Sequence, residues 1–160
     1  PLAKKFQMCQ FHIVGGTKEQ INKAKITASK NIIFHGHMIQ KKAFQLLKKF
    51  DVVLAPYSNI VRGGTPGNLA KWMSPLKIFE YMAFQKPIIC SKLTPLLEIG
   101  KNDETMIFCS PNNIDDWKMK LKNLLLNPKK AFKLGINARK LYEKKFTYKI
   151  RADKIINKFN

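Results

Sequence analysis

The chain has 160 residues, 45% of them hydrophobic, with 30 Lys and Arg against 10 Asp and Glu and a formal charge of +20. That length suits one domain able to bury about 70% of its unfolded surface without a disulfide or metal, and the apolar content excludes a disordered chain. No apolar run approaches the ~20 residues of a membrane span, and the start Pro1-Leu2-Ala3-Lys4 carries no signal region, so the sequence reads as an excised fragment.

Strand-type and helix-type stretches then alternate. Phe11-His12-Ile13-Val14 reads as a strand ending at Gly15-Gly16. Thr17 and Gln20 have capping-box spacing, and Ile21, Ala24 and Ala28 mark one face of the helix that follows. Ile32-Ile33-Phe34 is a second strand, ending at Gly36. Ile39, Ala43, Phe44, Leu46, Leu47 and Phe50 form the stripe of a second helix. Residues 51–55 are a third strand, closed by Pro56. The stretch 57–73, with Gly63-Gly64, Pro66 and Gly67, is the one long irregular segment, and such loops tend to be functional.

Ser74 is expected to cap a helix with Pro75 at its first position and Ile78, Phe79 and Met82 on its buried face. Strands follow at 87–90 and 105–109. Ile114, Trp117, Leu121, Leu124 and Leu125 mark the next helix, and Asn127-Pro128 opens another that runs toward Phe146. Tyr148, Ala152, Ile155, Ile156 and Phe159 mark a last amphipathic helix over about 148–159. The strands are apolar on both faces, as parallel strands covered by helices on both sides are. The pattern predicts an α/β fold with a doubly wound parallel sheet, occupying 1–160 as one domain, with ligands outside the carboxyl ends of the strands.

Of the basic residues only Arg62, Arg139 and Arg151 are Arg, and residues 117–160 hold 12 Lys and 2 Arg against Glu143 and Asp153 alone. Lys is a hydrated point charge, so the excess favours general attraction of anions over base-specific reading. A solvated Lys-rich surface, an anionic membrane contact and binding to nucleic acid backbone all fit it. Cys9, Cys90 and Cys109 are odd in number and form no C-x-x-C pair, which points to a reducing, cytoplasmic compartment. His35 and His37 stand at alternate strand positions, but no third ligand lies nearby, so no metal site is expected.

The most informative stretch is Ser74-Pro75-Leu76-Lys77-Ile78-Phe79-Glu80-Tyr81. A helix starting at a strand-end loop offers free N–H groups and a positive dipole end to an anion. Lys77 adds a cation there, and Glu80 lies deeper by about a turn and a half from Ser74. Phosphates at the amides and ribose hydroxyls at the carboxylate make this a fit for a nucleoside diphosphate. An ordinary capped surface helix with a solvated Glu80 fits the same residues.

The run 74–91, Ser-Pro-Leu-Lys-Ile-Phe-Glu-Tyr-Met-Ala-Phe-Gln-Lys-Pro-Ile-Ile-Cys-Ser, closely resembles the C-terminal, donor-binding domain of family 4 type glycosyltransferases with the GT-B fold. Phe11-His12-Ile13-Val14-Gly15-Gly16 resembles that domain's second strand and glycine turn. The run 32–38 resembles the strand and loop that meet the nucleobase, and 50–57 the strand before the donor loop. Asn127-Pro128 and Phe146-Thr147-Tyr148 resemble its closing helices, the last of which packs toward the N-terminal domain.

The resemblance implies the donor domain of a retaining, hexosyl-transferring enzyme of cell-surface polysaccharide, lipopolysaccharide or glycolipid synthesis. Its donor would be a UDP-, GDP- or similar nucleotide sugar, used without a further cofactor. A glycan or lipid-linked acceptor would be held by an N-terminal domain, so the chain alone is expected to be inactive. By position, Glu80 would bind the donor ribose, Ser74, Pro75 and Leu76 the diphosphate or sugar with Lys77 nearby, and Gly36, His37 and Met38 the base. No residue is assigned a catalytic role. Trp72 stands where many relatives have the first Glu of a Glu-x7-Glu pattern, and no match to the family's first strand and its Arg and Lys pair precedes residue 11. The same scaffold also serves nucleotide-sugar epimerases. A basic non-enzymatic domain for nucleic acid or membrane is the rival outside enzymes.

Overall fold

The computed structural model of the chain describes residues 1–60 and 75–157. It divides the chain into two compact units, 1–49 and 50–160. All strand pairings within each are parallel.

The first unit contains α1 (Leu2–Lys5), β1 (Phe11–Val14), α2 (Lys18–Lys25), β2 (Ile32–Gly36) and α3 (Gln40–Lys48). The expected capping box is present: the Thr17 hydroxyl accepts from the Gln20 amide at 3.2 Å, and the Gln20 side chain accepts from the Thr17 amide at 2.9 Å. Ile39 is the N-cap of α3 and not part of its buried stripe. Asn31 ties the segment before β1 to β2: its Nδ2 lies 3.1, 3.0 and 2.8 Å from the carbonyls of Ala3, Phe6 and Cys9. Cys9 is thereby placed by its backbone.

Burial of these strands on both faces does not hold. Ile13 and Val14 are 44% and 38% exposed. The reason is size. A unit of about fifty residues cannot bury the share of surface that a larger one can, and Ala3 and Leu47 are the only buried side chains among its residues.

The second unit contains β3 (Val53–Ala55), α4 (Leu76–Ala83), β4 (Ile88–Ser91), α5 (Thr94–Ile99), β5 (Ile107–Cys109), α6 (Ile114–Leu126), α7 (Pro128–Lys145) and α8 (Tyr148–Ile156). Its sheet has the order β3-β4-β5, with Leu54 opposite Ile89 and Ile89 opposite Ile107. Here burial on both faces does hold, since every residue of β4 and β5 is buried. Ile78, Met82, Ile88, Ile89, Cys90, Leu96, Met106, Leu124 and Leu134 form the core. Ile114 and Leu125, expected on the inner stripe of α6, face partly outward.

Two helices fix α4. Residues Leu134, Gly135 and Ala138 of α7 are its buried face. The Arg139 guanidinium donates to the Ala83 carbonyl, and the Phe79 ring meets Phe146 at 5.0 Å. The end of α4 is a Schellman turn: the Lys86 amide donates to the Tyr81 carbonyl at 3.0 Å and the Gln85 amide to Met82 at 2.9 Å. This turn sets Gln85 at φ 55°, a left-handed conformation that favours glycine. Gln85→Gly is expected to raise stability by about 0.5–1 kcal/mol. The check is urea denaturation, in which the substitution moves the midpoint upward.

Candidate functional site

In the second unit, β3 and β4 end side by side, Ala55 opposite Cys90. The chain leaves β3 through Pro56 to Tyr57, whose carbonyl accepts from the buried Ser91 hydroxyl at 2.6 Å. That bond fixes the exit of β3 against the last residue of β4. Among the described residues α4 comes next, and Glu80 lies on it, half-buried. Glu80 is close enough to both Tyr57 and Tyr81 for its charge to act on their phenols. Tyr57 thus follows the carboxyl end of β3, where parallel α/β sheets take ligands, with Glu80 and Tyr81 within electrostatic reach on α4.

The start of α4 differs in one respect from the sequence expectation. Pro75 is the N-cap, not the first helical residue, and the helix begins at Leu76. Pro75 is buried, with φ −84° and ψ 67°, and its carbonyl accepts from the Ile78 amide at 2.9 Å. Proline carries no N–H and its φ is fixed, so it closes the entry to the helix without using a donor. The expected cap, Ser74, lies outside the described residues, as does Trp72. Leu76 and Lys77 are exposed in the first turn, and Lys77 and Glu80 stand three residues apart on one side of α4. The Leu76 and Lys77 amides of the first turn have no partner within their own helix, and the dipole adds partial positive charge there. The arrangement presents N–H donors and an ammonium to an anion, and a carboxylate one turn further on to hydroxyl donors.

The neighbours of Glu80 are held neutral. Burial, then the charges of Tyr57 and Glu80, push the Tyr81 phenol up to about 12. Burial, then Cys90 and Glu80, raise Tyr57. Burial pushes the Cys109 thiol up to about 12, with Lys120 opposing, and burial and Cys109 raise Cys90 further. Unfolded phenols titrate near ~10 and thiols near ~8.5, so the unfolded chain loses these protons first. The stability they contribute is full below those values and is lost as pH rises toward 12. The denaturation midpoint is expected to hold up to about pH 8 and to fall by about pH 11. Tyr81→Phe should lessen the fall above pH ~10. Equal midpoints at the two pH values contradict this reading.

In the first unit, β1 runs into Gly15 and Gly16, and β2 ends in Gly36. Gly15, Gly16 and Gly36 have φ of 106°, 86° and 68°. The Gly15 amide donates to the Gly36 carbonyl at 2.7 Å. The register slips here, from Ile13 opposite Phe34 to Val14 opposite Gly36, and leaves His35 as the extra residue. Its ring stacks on His12 with centroids 5.1 Å apart, His12 Nδ1 lying 2.8 Å from His35 Nε2. Burial, then His35, lower the His12 pKa. The left-handed Gly36 between His35 and His37 interrupts the strand alternation; His37 is exposed and Met38 half-buried. Among the described residues no group of three His, Cys, Asp or Glu is placed to hold a metal ion. Gly36 is the last residue of β2, and His37 and Met38 lead from it toward α3.

Sequence reasoning missed the contributions of Tyr81 and Ser91 and the His12–His35 contact. The first two were readable as flanks of Glu80 and of the β4 end. The third needed the register slip, which no residue pattern announces.

Parallel strands with helices between them define a Rossmann-like fold of the kind that forms half of a GT-B glycosyltransferase. The sequence profile of the glycosyl transferases group 1 family matches residues 1–127, and the chain belongs to that family. No curated protein sequence matches the chain significantly. Among solved structures, TarM of S. aureus is 22% identical with a TM-score of 0.73, covering 99% of this chain and 30% of its own length. HepE (Alr3699) of Anabaena, solved in complex with UDP, is 15% identical with a TM-score of 0.76, covering 99% of this chain and 43% of its own. The C-terminal domain of LpcC, a glycosyl transferase group 1 family protein from Francisella tularensis, is 23% identical with a TM-score of 0.68, covering 92% and 74%. The chain thus spans less than half the length of TarM and HepE.

Proposed function

We propose that this chain binds a nucleotide sugar as the donor half of a retaining glycosyltransferase. The observation that carries the reading is Glu80, set one turn into α4 within electrostatic reach of Tyr81 and of Tyr57, which follows the carboxyl end of β3. In the proposed complex the diphosphate meets the first-turn amides of α4 and Lys77, with Ser74, Pro75 and Leu76 shaping the turn. Glu80 accepts from the ribose hydroxyls. The turn at Gly36, His37 and Met38 is assigned to the base on the family resemblance. Family membership and the UDP complex of HepE support a nucleotide-sugar donor.

The chemistry proposed for these residues is electrostatic. The leaving diphosphate gains negative charge in the transition state, and fixed amides with an ammonium stabilise it without reorganisation. The acceptor, a glycan or a lipid-linked glycan, would come from a further domain, placing the reaction in cytoplasmic synthesis of cell-surface polysaccharide, lipopolysaccharide or glycolipid. The exposed face of α8 is assigned to contact with that domain. Calorimetric titration of the chain with UDP and with GDP tests the proposal. Saturable binding of either, stronger than that of the monophosphate, is expected. Binding of DNA alone, falling steeply with salt, would point instead to a backbone-binding basic domain.

A further inference from the structure

The corner between α6 and α7 carries an exposed apolar and cationic surface that the donor site does not use. Leu126, the last residue of α6, is 69% exposed, and Phe132, early in α7, is 65% exposed. Met119 is 62% exposed and lies on the same stripe of α6, seven residues before Leu126. The inner faces of these helices are already filled by Trp117, Leu121, Leu124, Leu134 and Ala138, so the outward side chains are not a displaced core. Three lysines, Lys122, Lys129 and Lys133, interleave with them and are exposed.

The charge here is only partly compensated. Residues 117–142 contain no Asp or Glu. Lys118, Lys120, Lys130 and Arg139 each pair with an acid from outside that span or from its edge: Asp115, Asp116, Asp103 and Glu143. Lys122, Lys129 and Lys133 enter none of the ion pairs among the described residues. Exposed large apolar side chains with unpaired lysines three or four residues away on the same helices match one chemistry better than others. The apolar groups gain by entering a headgroup and acyl boundary, and the lysines by facing anionic headgroups. A nucleic acid backbone would use the lysines and gain nothing from Leu126 or Phe132. No helix among the described residues is long and apolar enough to cross a membrane, so the contact is peripheral.

We propose that the α6–α7 corner docks the chain on an anionic lipid surface, with Leu126 and Phe132 inserted and Lys122, Lys129 and Lys133 at the headgroups. The proposal is independent of the donor reading, since its test uses no nucleotide. The experiment is flotation of the chain with vesicles of phosphatidylcholine alone and of phosphatidylcholine with phosphatidylglycerol, at low and high salt. Binding to the anionic vesicles only, weakened by salt, is expected. Replacing the three lysines by Gln should lower the partition by roughly 100-fold, about fivefold each. Leu126→Ser with Phe132→Ser should lower it by at least about tenfold. These sites are exposed, and unchanged thermal unfolding of both variants shows that the fold is kept.

Three results would overturn the proposal. The first is absence of vesicle binding by the parent chain. The second is a serine variant that binds vesicles as well as the parent, which would reduce the corner to a basic patch. The third is a dimer in sedimentation that the serine variant dissociates, which would show that a second copy covers this face.

Discussion

Gly135→Ala is expected to destabilise the chain by about 3 kcal/mol. A β-carbon at that position would lie 2.3 Å from the Gln85 carbonyl oxygen and 3.1 Å from its carbon. The obstacle is backbone, held by the Schellman turn at the end of α4, so no side chain can rotate away to make room. Either α7 lifts from α4 or the turn opens. Lifting α7 also removes the Arg139 bond to the Ala83 carbonyl and separates Phe79 from Phe146. For a chain of this size the melting temperature should fall by roughly 6–12 °C. The control is Lys133→Ala, an exposed site on the same helix, which should leave it unchanged. Equal melting temperatures for Gly135→Ala and the parent would contradict the close approach of the two helices.

Glu80→Ala is expected to weaken UDP or GDP binding by about 10- to 100-fold, the worth of hydrogen bonds to a charged acceptor. The side chain is half-buried on α4, and its neighbours Tyr57 and Tyr81 are held as neutral phenols. Removing the carboxylate therefore leaves no buried counter-charge behind, and stability should change by less than about 1 kcal/mol. That separates it from Gly135→Ala, which is expected to lower stability first and binding only through the displaced α4. Lys77→Ala is expected to act more weakly, since an exposed ammonium contributes little beyond the amides beside it.

The sequence reading was most reliable where one local rule decides the outcome. Thr17 and Gln20 announced a capping box, and Asn127-Pro128 announced a helix start. The β4 and β5 strands were legible as apolar runs because both their faces are buried. It failed where the outcome depends on what surrounds a segment. Ile13, Val14 and Ile33 look like core residues, yet a unit of 49 residues lacks the mass to cover them. Pro75 suits the first helical position by propensity, but the structure sets it one place earlier, as a buried cap.

The candidate site was legible as a motif and not as a constellation. Glu80 and Lys77 are read from one helix start. The placement of Tyr57 beside Glu80 depends on the Ser91 bond to its carbonyl, between residues 34 apart in sequence. The assigned residues Ser74, Pro75 and Leu76 were read together, but of these the structure describes only Pro75 and Leu76.

The role proposed for Glu80 is to read the ribose of a nucleoside diphosphate. The most direct measurement is a calorimetric cycle of UDP and 2′,3′-dideoxy-UDP on the parent chain and on Glu80→Ala. If the carboxylate accepts from the ribose hydroxyls, each change alone weakens binding by about 10- to 100-fold, and the two together cost little more than either. Fully additive losses, or UDP binding unaltered by Glu80→Ala, would contradict it.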